Sequence, residues 1–341
     1  MTMDTRHQKI IDAIIQKANR ECPKSLALIG VYGSVLTGDI HPKSDLDLMI
    51  LINDDKGKCL ADTFILEDQQ IGYDLYCTTW QMLEGDAECA HPYLSKLLDC
   101  SLVYVSDEKS LKRLEGLRSI AQGNLGSCIR YSKVKSALAL AKTAYADCLL
   151  ADSLSDVRIY AGEVIYQLLN CIMLYHGRYF RMGVKRTFEE IDQLDLNYDI
   201  KNLVLSVISS REVVNIKASL TVLTKKVVQN INLEENSEEP KAENIIGTYE
   251  EMFSNWRNKM YEASSRNDLF SSYMNMVSLQ FMLNDICQGF DVISEFDPDD
   301  LDLNATLYDK ALDKYLDLYN KLGIKPKTFK NADDFILNYL K

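Results

Sequence analysis

Two aspartates, Asp45 and Asp47, stand two residues apart in "KSDLDLMILI", at the mouth of a nearly unbroken apolar run. Side chains alternate along a strand, so residues two apart share a face. Two bare carboxylates held side by side repel, and each raises the other's pKa. A buried strand end tolerates such a pair only with a counter-charge, and a divalent metal is the simplest one. Hard Mg²⁺ takes one or two carboxylates together with phosphate oxygens and water. A third acid, Asp74, sits inside the β-rich "GYDLYC", where an aspartate is unfavourable unless something needs it. If that strand neighbours the one after Asp47, Asp74 completes a three-carboxylate cluster. Upstream, Gly33-Ser34 ends another apolar run. A Gly there lets backbone approach a ligand closely, and a helix starting at Ser34 would turn its N–H groups toward a phosphate. Singly, these are a turn, a solvated strand end and an edge-strand aspartate. In this order and spacing they make a phosphate cradle, a metal pair and a third carboxylate.

The elements that must hold these residues are legible as periodicities. Ile10, Ile11, Ile14, Ile15 and Ala18 recur at helical spacing, which predicts a helix from Asp4 to Asn19. Strands are expected over Ser25–Tyr32, Leu46–Ile52, Gln70–Thr78 and Ser101–Ser106, with a mostly helical stretch from Thr79 to Leu98. After Asp107 the pattern becomes helical. One stripe is Val134, Leu138, Ala141, Tyr145 and Leu149. A second is Val157, Tyr160, Ala161, Val164, Leu168, Ile172 and Tyr175, and it ends in "YHGRYF", whose Gly suits a helix stop. Further helices are expected over 199–209, 212–231, 248–264, 269–289 and 307–322. The expected fold class is α+β: a small mixed-sheet domain over 1–108, then an all-helical bundle over 109–341. "NLEENSEEPKAEN" at 232–244 reads as an acidic loop or linker. "EFDPDDLDLN" at 295–304 is a second acidic break, without the spacing of an EF-hand loop.

Bulk composition narrows the function classes. The chain has 341 residues, enough for two ordinary domains, and 47% are hydrophobic, as in soluble globular proteins. No stretch approaches the roughly 20 apolar residues that span a bilayer. The N-terminus is charged and lacks the apolar core of a signal peptide. Nine cysteines are scattered without a CxxC pair, which argues for free thiols in a reducing cytoplasm rather than a disulfide framework or a zinc site. The net charge of -12 and the absence of a basic stripe argue against a polynucleotide partner. An acidic surface attracts a cationic small molecule, although solubility alone also accounts for it.

In "YGSVLTGDIHPKSDLDL" the sequence resembles the nucleotidyltransferase superfamily of the DNA polymerase β-like fold. The signature there is an apolar strand, Gly-Ser, a loop of roughly ten residues, then Asp-x-Asp opening a second strand. Gly33, Ser34, Asp45 and Asp47 hold the signature positions, and Asp74 in "YDLYC" matches the third acid. The motif region covers about the first third of the chain. Within the superfamily, the join of a minimal catalytic domain to a helical bundle resembles the bacterial aminoglycoside and lincosamide enzymes. "RIYAGEVIYQLLNCIMLYHGRYFRMGVKR" (Arg158 to Arg186) is loosely similar to their bundle helices.

The resemblance implies Mg²⁺-dependent transfer of a nucleoside monophosphate, AMP from ATP by default, to an acceptor hydroxyl on a small molecule, an antibiotic among the candidates. Asp45 and Asp47 would hold two Mg²⁺ ions, and Asp74 would bind the one nearer the acceptor. Ser34 and the backbone at Gly33 would hold phosphates. The general base would be Asp74 or Glu163, the latter on the second helical stripe's element but off its apolar face. The leaving pyrophosphate needs positive charge. Lys135 and Lys142, seven apart on one helix edge, and Lys43 with Ser44 in the loop are the candidates, each with a plain surface role as its alternative. The implied partners are a nucleotide and a hydroxylated acceptor, with no nucleic acid and no membrane. A homodimer sharing a site occurs in some resembling enzymes. Two other readings stand beside this one: nucleotidylation of a protein hydroxyl, and a non-catalytic nucleotide-binding module.

Overall fold

A computed structural model describes residues 5–38, 45–68, 70–231, 233, 242–286 and 291–340. The chain packs as two compact units, Met1–Leu233 and Glu234–Lys341. The first opens with helix α1 (Thr5–Glu21), strand β1 (Leu26–Val31), the single turn α2 (Ser34–Thr37) and strand β2 (Leu48–Ile52). Strands β3 (Asp62–Leu66), β4 (Ile71–Leu75) and β5 (Cys77–Thr79) follow, then helices α3 (Trp80–Ala87) and α4 (Ser95–Leu98) and strand β6 (Ser101–Val105). The main sheet runs β5-β2-β1-β6. β1 is antiparallel to β2 and β6, while β2 is parallel to β5, so the sheet is mixed as its α+β pattern requires.

All of β1 and β2 is buried, because both faces of these central strands are covered. On one face Ile29, Val31, Leu46, Leu48, Ile50 and Ile52 join Ile11, Ile14 and Ala18 of α1 and Ile71, Tyr73 and Leu75 of β4. On the other, Leu28, Met49 and Leu51 join the helices that follow the sheet. The expected third strand over 70–78 is divided. Its first part pairs with β3, a strand that the sequence did not announce, and its second part pairs with β2. β3 is largely exposed, so it carries no clean alternation; Phe64 on it stacks on Tyr73 with ring centroids 5.2 Å apart.

Six helices complete the first unit: α5 (Glu108–Gly126), α6 (Ile129–Leu150), α7 (Leu154–Tyr175), α8 (Thr187–Ile191), α9 (Ile200–Ser209) and α10 (Val213–Asn230). Side-chain caps set the starts of α5 and α7. Asp107 accepts from the Ser110 N–H at 2.7 Å, and Ser153 from the Asp156 N–H at 3.1 Å. Gly177, at φ +63°, ends α7, and a Cβ there would stand 2.6 Å from the Leu125 carbonyl oxygen. The stripe expected on α6 is shifted: Val134, Ala137, Ala141, Ala144 and Cys148 are buried, and Leu149 is exposed. Small residues let α6 approach α7 closely, so packing selects alanines over the larger leucines. These helices share one core with Leu28, Met49 and Leu51. One core thus extends across 108/109, and the compact units divide at 233/234, at the start of the acidic stretch 232–244.

The second unit holds α11 (Ala242–Ile245), α12 (Thr248–Glu251), a π-helical turn over Met252–Trp256, α13 (Arg257–Ser265), α14 (Leu269–Ile286), α15 (Leu301–Lys321) and α16 (Ala332–Tyr339). α15 starts earlier than the acidic break suggested, because Asp300 caps it by accepting from the Leu303 N–H at 2.8 Å. The core is rich in buried tyrosines that keep polar partners: the Tyr319 hydroxyl donates to the Ile245 carbonyl at 2.6 Å. Among the described residues, no helix is long and apolar enough to cross a membrane.

Candidate active site

β1 ends where the Tyr32 N–H donates to the Asp47 carbonyl at 3.1 Å. The chain then turns at Gly33, with φ +69° and ψ −145°, a conformation that glycine alone adopts readily. A Cβ on Gly33 would stand 2.0 Å from Asp47 Oδ2, so the turn lies directly against that carboxylate. The Ser34 N–H donates to the Asp47 side chain. This alters the expected cradle: the first N–H of α2 already serves a carboxylate, and α2 is a single turn of four residues.

Asp45 is exposed and Asp47 is half-buried. Burial, then the charge of Asp45, pushes the Asp47 carboxyl above the usual carboxylate range, and the Ser34 N–H only partly offsets them. No basic group is among these influences. A desolvated carboxylate beside a second one, with hard oxygen donors only, fits a divalent cation. Asp74 lies on β4, in the separate two-stranded sheet with β3. The parallel register pairs Ile50 with Cys77, and Asp47 and Asp74 each precede their strand's partner by three residues. Tyr73 and Leu75 on either side of Asp74 pack toward α1, as Leu46 and Leu48 on either side of Asp47 do. Asp74 is exposed and accepts from Thr63 Oγ1 at 3.3 Å. Among the described residues no three Asp, Glu, His or Cys side chains gather closely enough to hold a metal, so the structure does not bring Asp45, Asp47 and Asp74 together as the expected three-carboxylate cluster.

Two tyrosines that the sequence did not single out complete this face. Tyr32 and Tyr76 hydroxyls lie 2.8 Å apart. Burial, the Tyr76 contact, and the charges of Asp47 and Asp45 raise the Tyr32 pKa, so its hydroxyl stands within the field of the acid pair. A cation is anchored at the same end of the sheet. The register pairs Val31 with Ser101, and Asp99, the residue that ends α4, lies two positions before that pair. Asp99 Oδ1 accepts from the Tyr179 hydroxyl at 2.9 Å and holds Arg181 at 3.2 Å. Buried Glu190 fixes the backbone of this segment by accepting from the Arg181 and Met182 N–H groups.

Residues 11–115 match the nucleotidyltransferase domain family. The segment belongs to the nucleotidyltransferase superfamily. A solved nucleotidyltransferase-like protein from Exiguobacterium sibiricum is similar over 66% of this chain and 75% of that one, at 13% identity and a TM-score of 0.40. No curated protein matches the sequence.

The nucleotidyltransferase domain so bounded contains Gly33, Ser34, Asp45, Asp47 and Asp74. Lys43 and Ser44 also fall within it but lie outside the described residues. Glu163, Lys135 and Lys142 lie beyond it in sequence. Glu163 is exposed on α7 and accepts from Gln167 Nε2 at 2.8 Å. One turn on, Tyr166 stacks on Tyr93 with centroids 5.5 Å apart. Lys135 and Lys142 are exposed on α6. None of these three is among the groups that act on Asp47. A groove of about 620 Å³ between α9 and α10, lined by Tyr198, Asn202, Leu203, Val222 and Lys226, includes none of the carboxylates.

Proposed function

We propose that this protein transfers AMP from ATP to a hydroxyl of a small molecule in a Mg²⁺-dependent reaction. The observation that carries the reading is the Gly33 turn laid against the Asp47 carboxylate, with Asp45 beside it; Asp74, like Asp47, alternates with residues packed toward α1. Asp45 and Asp47 would hold the metal, with Asp74 as the third oxygen donor. The metal would supply positive charge on the phosphate oxygens as negative charge moves to the leaving group. The acceptor oxygen bonds to the α-phosphorus, the bond to the bridging oxygen breaks, and pyrophosphate leaves with the electron pair. Asp74 or Glu163 takes the hydroxyl proton. Arg181, held by Asp99, is a further source of positive charge for the polyphosphate, beside Lys43, Lys135 and Lys142. The net charge of -12 favours a cationic acceptor, of which aminoglycosides are one class.

The test is incubation with Mg²⁺, α-labelled ATP and a panel of aminoglycosides, lincosamides and cell extract, beside the Asp45→Ala/Asp47→Ala variant. Label on a small molecule with the unmodified protein alone supports the reading. Label on protein moves it to protein nucleotidylation. ATP binding without pyrophosphate release, whatever acceptor is present, overturns catalysis in favour of a binding module.

A further inference from the structure

A second constellation lies away from the acid face, on the side covered by α1. Cys22 follows α1 directly, is buried, and belongs to the core beneath that helix. Cys59 is exposed on a short 3₁₀ turn, Asp55–Leu60. Their sulfurs are 3.6 Å apart. This is van der Waals contact, and a disulfide needs about 2.05 Å. The two segments are tied in fixed register by three hydrogen bonds. Ser25 Oγ donates to Asp54 Oδ1 at 2.7 Å, the Asn53 N–H to the Ser25 carbonyl at 2.7 Å, and Asn53 Nδ2 to the Lys24 carbonyl at 3.1 Å. Gly57 packs so closely beneath the turn that a Cβ would meet Ile52 Cγ2 at 2.6 Å. The thiols are thus held together by the fold, while Cys89, Cys148 and Cys171 are buried with carbonyl partners.

We propose that Cys22 and Cys59 are a redox modification site: a peroxide converts the pair to a reductant-reversible disulfide, with exposed Cys59 reacting first and buried Cys22 resolving. The Cys59 thiolate attacks one peroxide oxygen, the O–O bond breaks, and hydroxide leaves as Cys59 becomes a sulfenic acid. Cys22 sulfur then bonds to Cys59 sulfur, and the sulfenic hydroxyl departs as water with the Cys22 proton. The two sulfurs give up two electrons in all, and one peroxide becomes two waters. Burial raises the Cys22 pKa, so it is a poor first target, and proximity to Cys59 compensates at the second step. Cys77 is the competing partner, but its Sγ sits on the Gly57 carbonyl at 3.4 Å. The ring closed by the disulfide brackets Gly33, Ser34, Asp45 and Asp47, so it constrains the segment that carries the acid pair while bonding on the opposite face.

The experiment treats the full-length reduced protein with equimolar hydrogen peroxide, blocks remaining thiols by alkylation, and maps them by peptide mass spectrometry. The expected result is a peptide linking Cys22 to Cys59, two hydrogens lighter than its parts and released by dithiothreitol, with the melting temperature of the oxidised protein raised by several degrees. Cys59→Ser, an exposed and conservative change, should leave Cys22 unoxidised and abolish the shift. Overoxidation of Cys59 in the unsubstituted protein while Cys22 remains open to alkylation after denaturation would overturn the proposal. So would a Cys59–Cys77 link, or no loss of Cys59 alkylation at all. None of these readouts depends on nucleotidyl transfer.

Discussion

The strands that carry the candidate site have two faces with opposite tasks. Leu46, Leu48, Ile50 and Ile52 point toward α1 with Ile71, Tyr73 and Leu75, and they are buried among apolar side chains. The alternate residues Asp45, Asp47 and Asp74 point the other way, near Tyr32 and Tyr76. Farther along the same strand this second face is apolar again, at Met49 and Leu51. The acidic stretch is therefore a local departure at one strand end, not a polar face. A period of two lets one strand stabilise the fold with one set of residues and place charge with the next. The raised pKa of Asp47 records the cost of the charge.

The sharpest way to break this comparison is to neutralise one carboxylate. Asp47→Asn should lower nucleotidyl transfer at least ~10³-fold, about 4 kcal/mol on the barrier, with the fold intact. Its stability should move the other way. A carboxyl with a raised folded pKa stabilises the protein below its ordinary value near 3.8, and that contribution fades as pH rises through the folded pKa. In metal-free protein, the melting temperature of Asp47→Asn relative to the unsubstituted chain should therefore climb as pH rises from the ordinary carboxylate range through the raised folded value. A variant that melts lower at every pH would mean that Asp47 is structural. On the other face, Ile50→Ala should cost about 3 kcal/mol in urea unfolding, because the side chain is fully buried, yet leave the specific activity of the folded fraction nearly unchanged.

Gly33 joins the two faces. Gly33→Ala puts a methyl 2.0 Å from Asp47 Oδ2 at a φ of +69°. A loss of about 1–2 kcal/mol in stability is expected from the strained backbone, and roughly a hundredfold loss in activity from the displaced carboxylate. Unfolding curves and turnover measured on one preparation separate the two. Activity that survives would show that the turn only closes a strand.

The Gly33 turn and the acid pair beside it were easier to find in the sequence than parts of the architecture around them. Gly33-Ser34 and Asp45-x-Asp47 could be read because a glycine at a strand end and acids before an apolar run are exceptions to the local pattern. β1, β2 and α7 were readable from periodicity and from the stop at Gly177. β3 was not, since the exposed position between half-buried Phe64 and Leu66 holds another apolar residue, Ile65, which erases the alternation. Tyr76 divides 70–78 between two pairings, although the residues on either side of it alternate as one strand. The unit border at 233/234 falls at the start of the acidic stretch 232–244, which its polar, Pro-containing composition marks as a loop or linker. Asp99 and Arg181 meet from 82 residues apart, beyond the reach of any spacing rule.

The smallest effect concerns the hydroxyl pair. Tyr76 is 39% exposed and Tyr32 is half-buried, so Tyr76→Phe removes the hydrogen-bond partner of a partly covered hydroxyl. About 1 kcal/mol of stability should be lost. Tyr76 also follows Asp74 by two residues on the same face, and the backbone pairing with β2 begins only at Cys77. The tyrosine contact thus ties the Asp74 segment to β1 at the level of the acid pair. If that tie positions Asp74, Tyr76→Phe should raise the half-saturating Mg²⁺ concentration a few-fold, both in turnover and in the Mg²⁺-dependent rise of melting temperature. A stability loss with an unchanged Mg²⁺ dependence would move Tyr76 from the acidic face's task to the structural one.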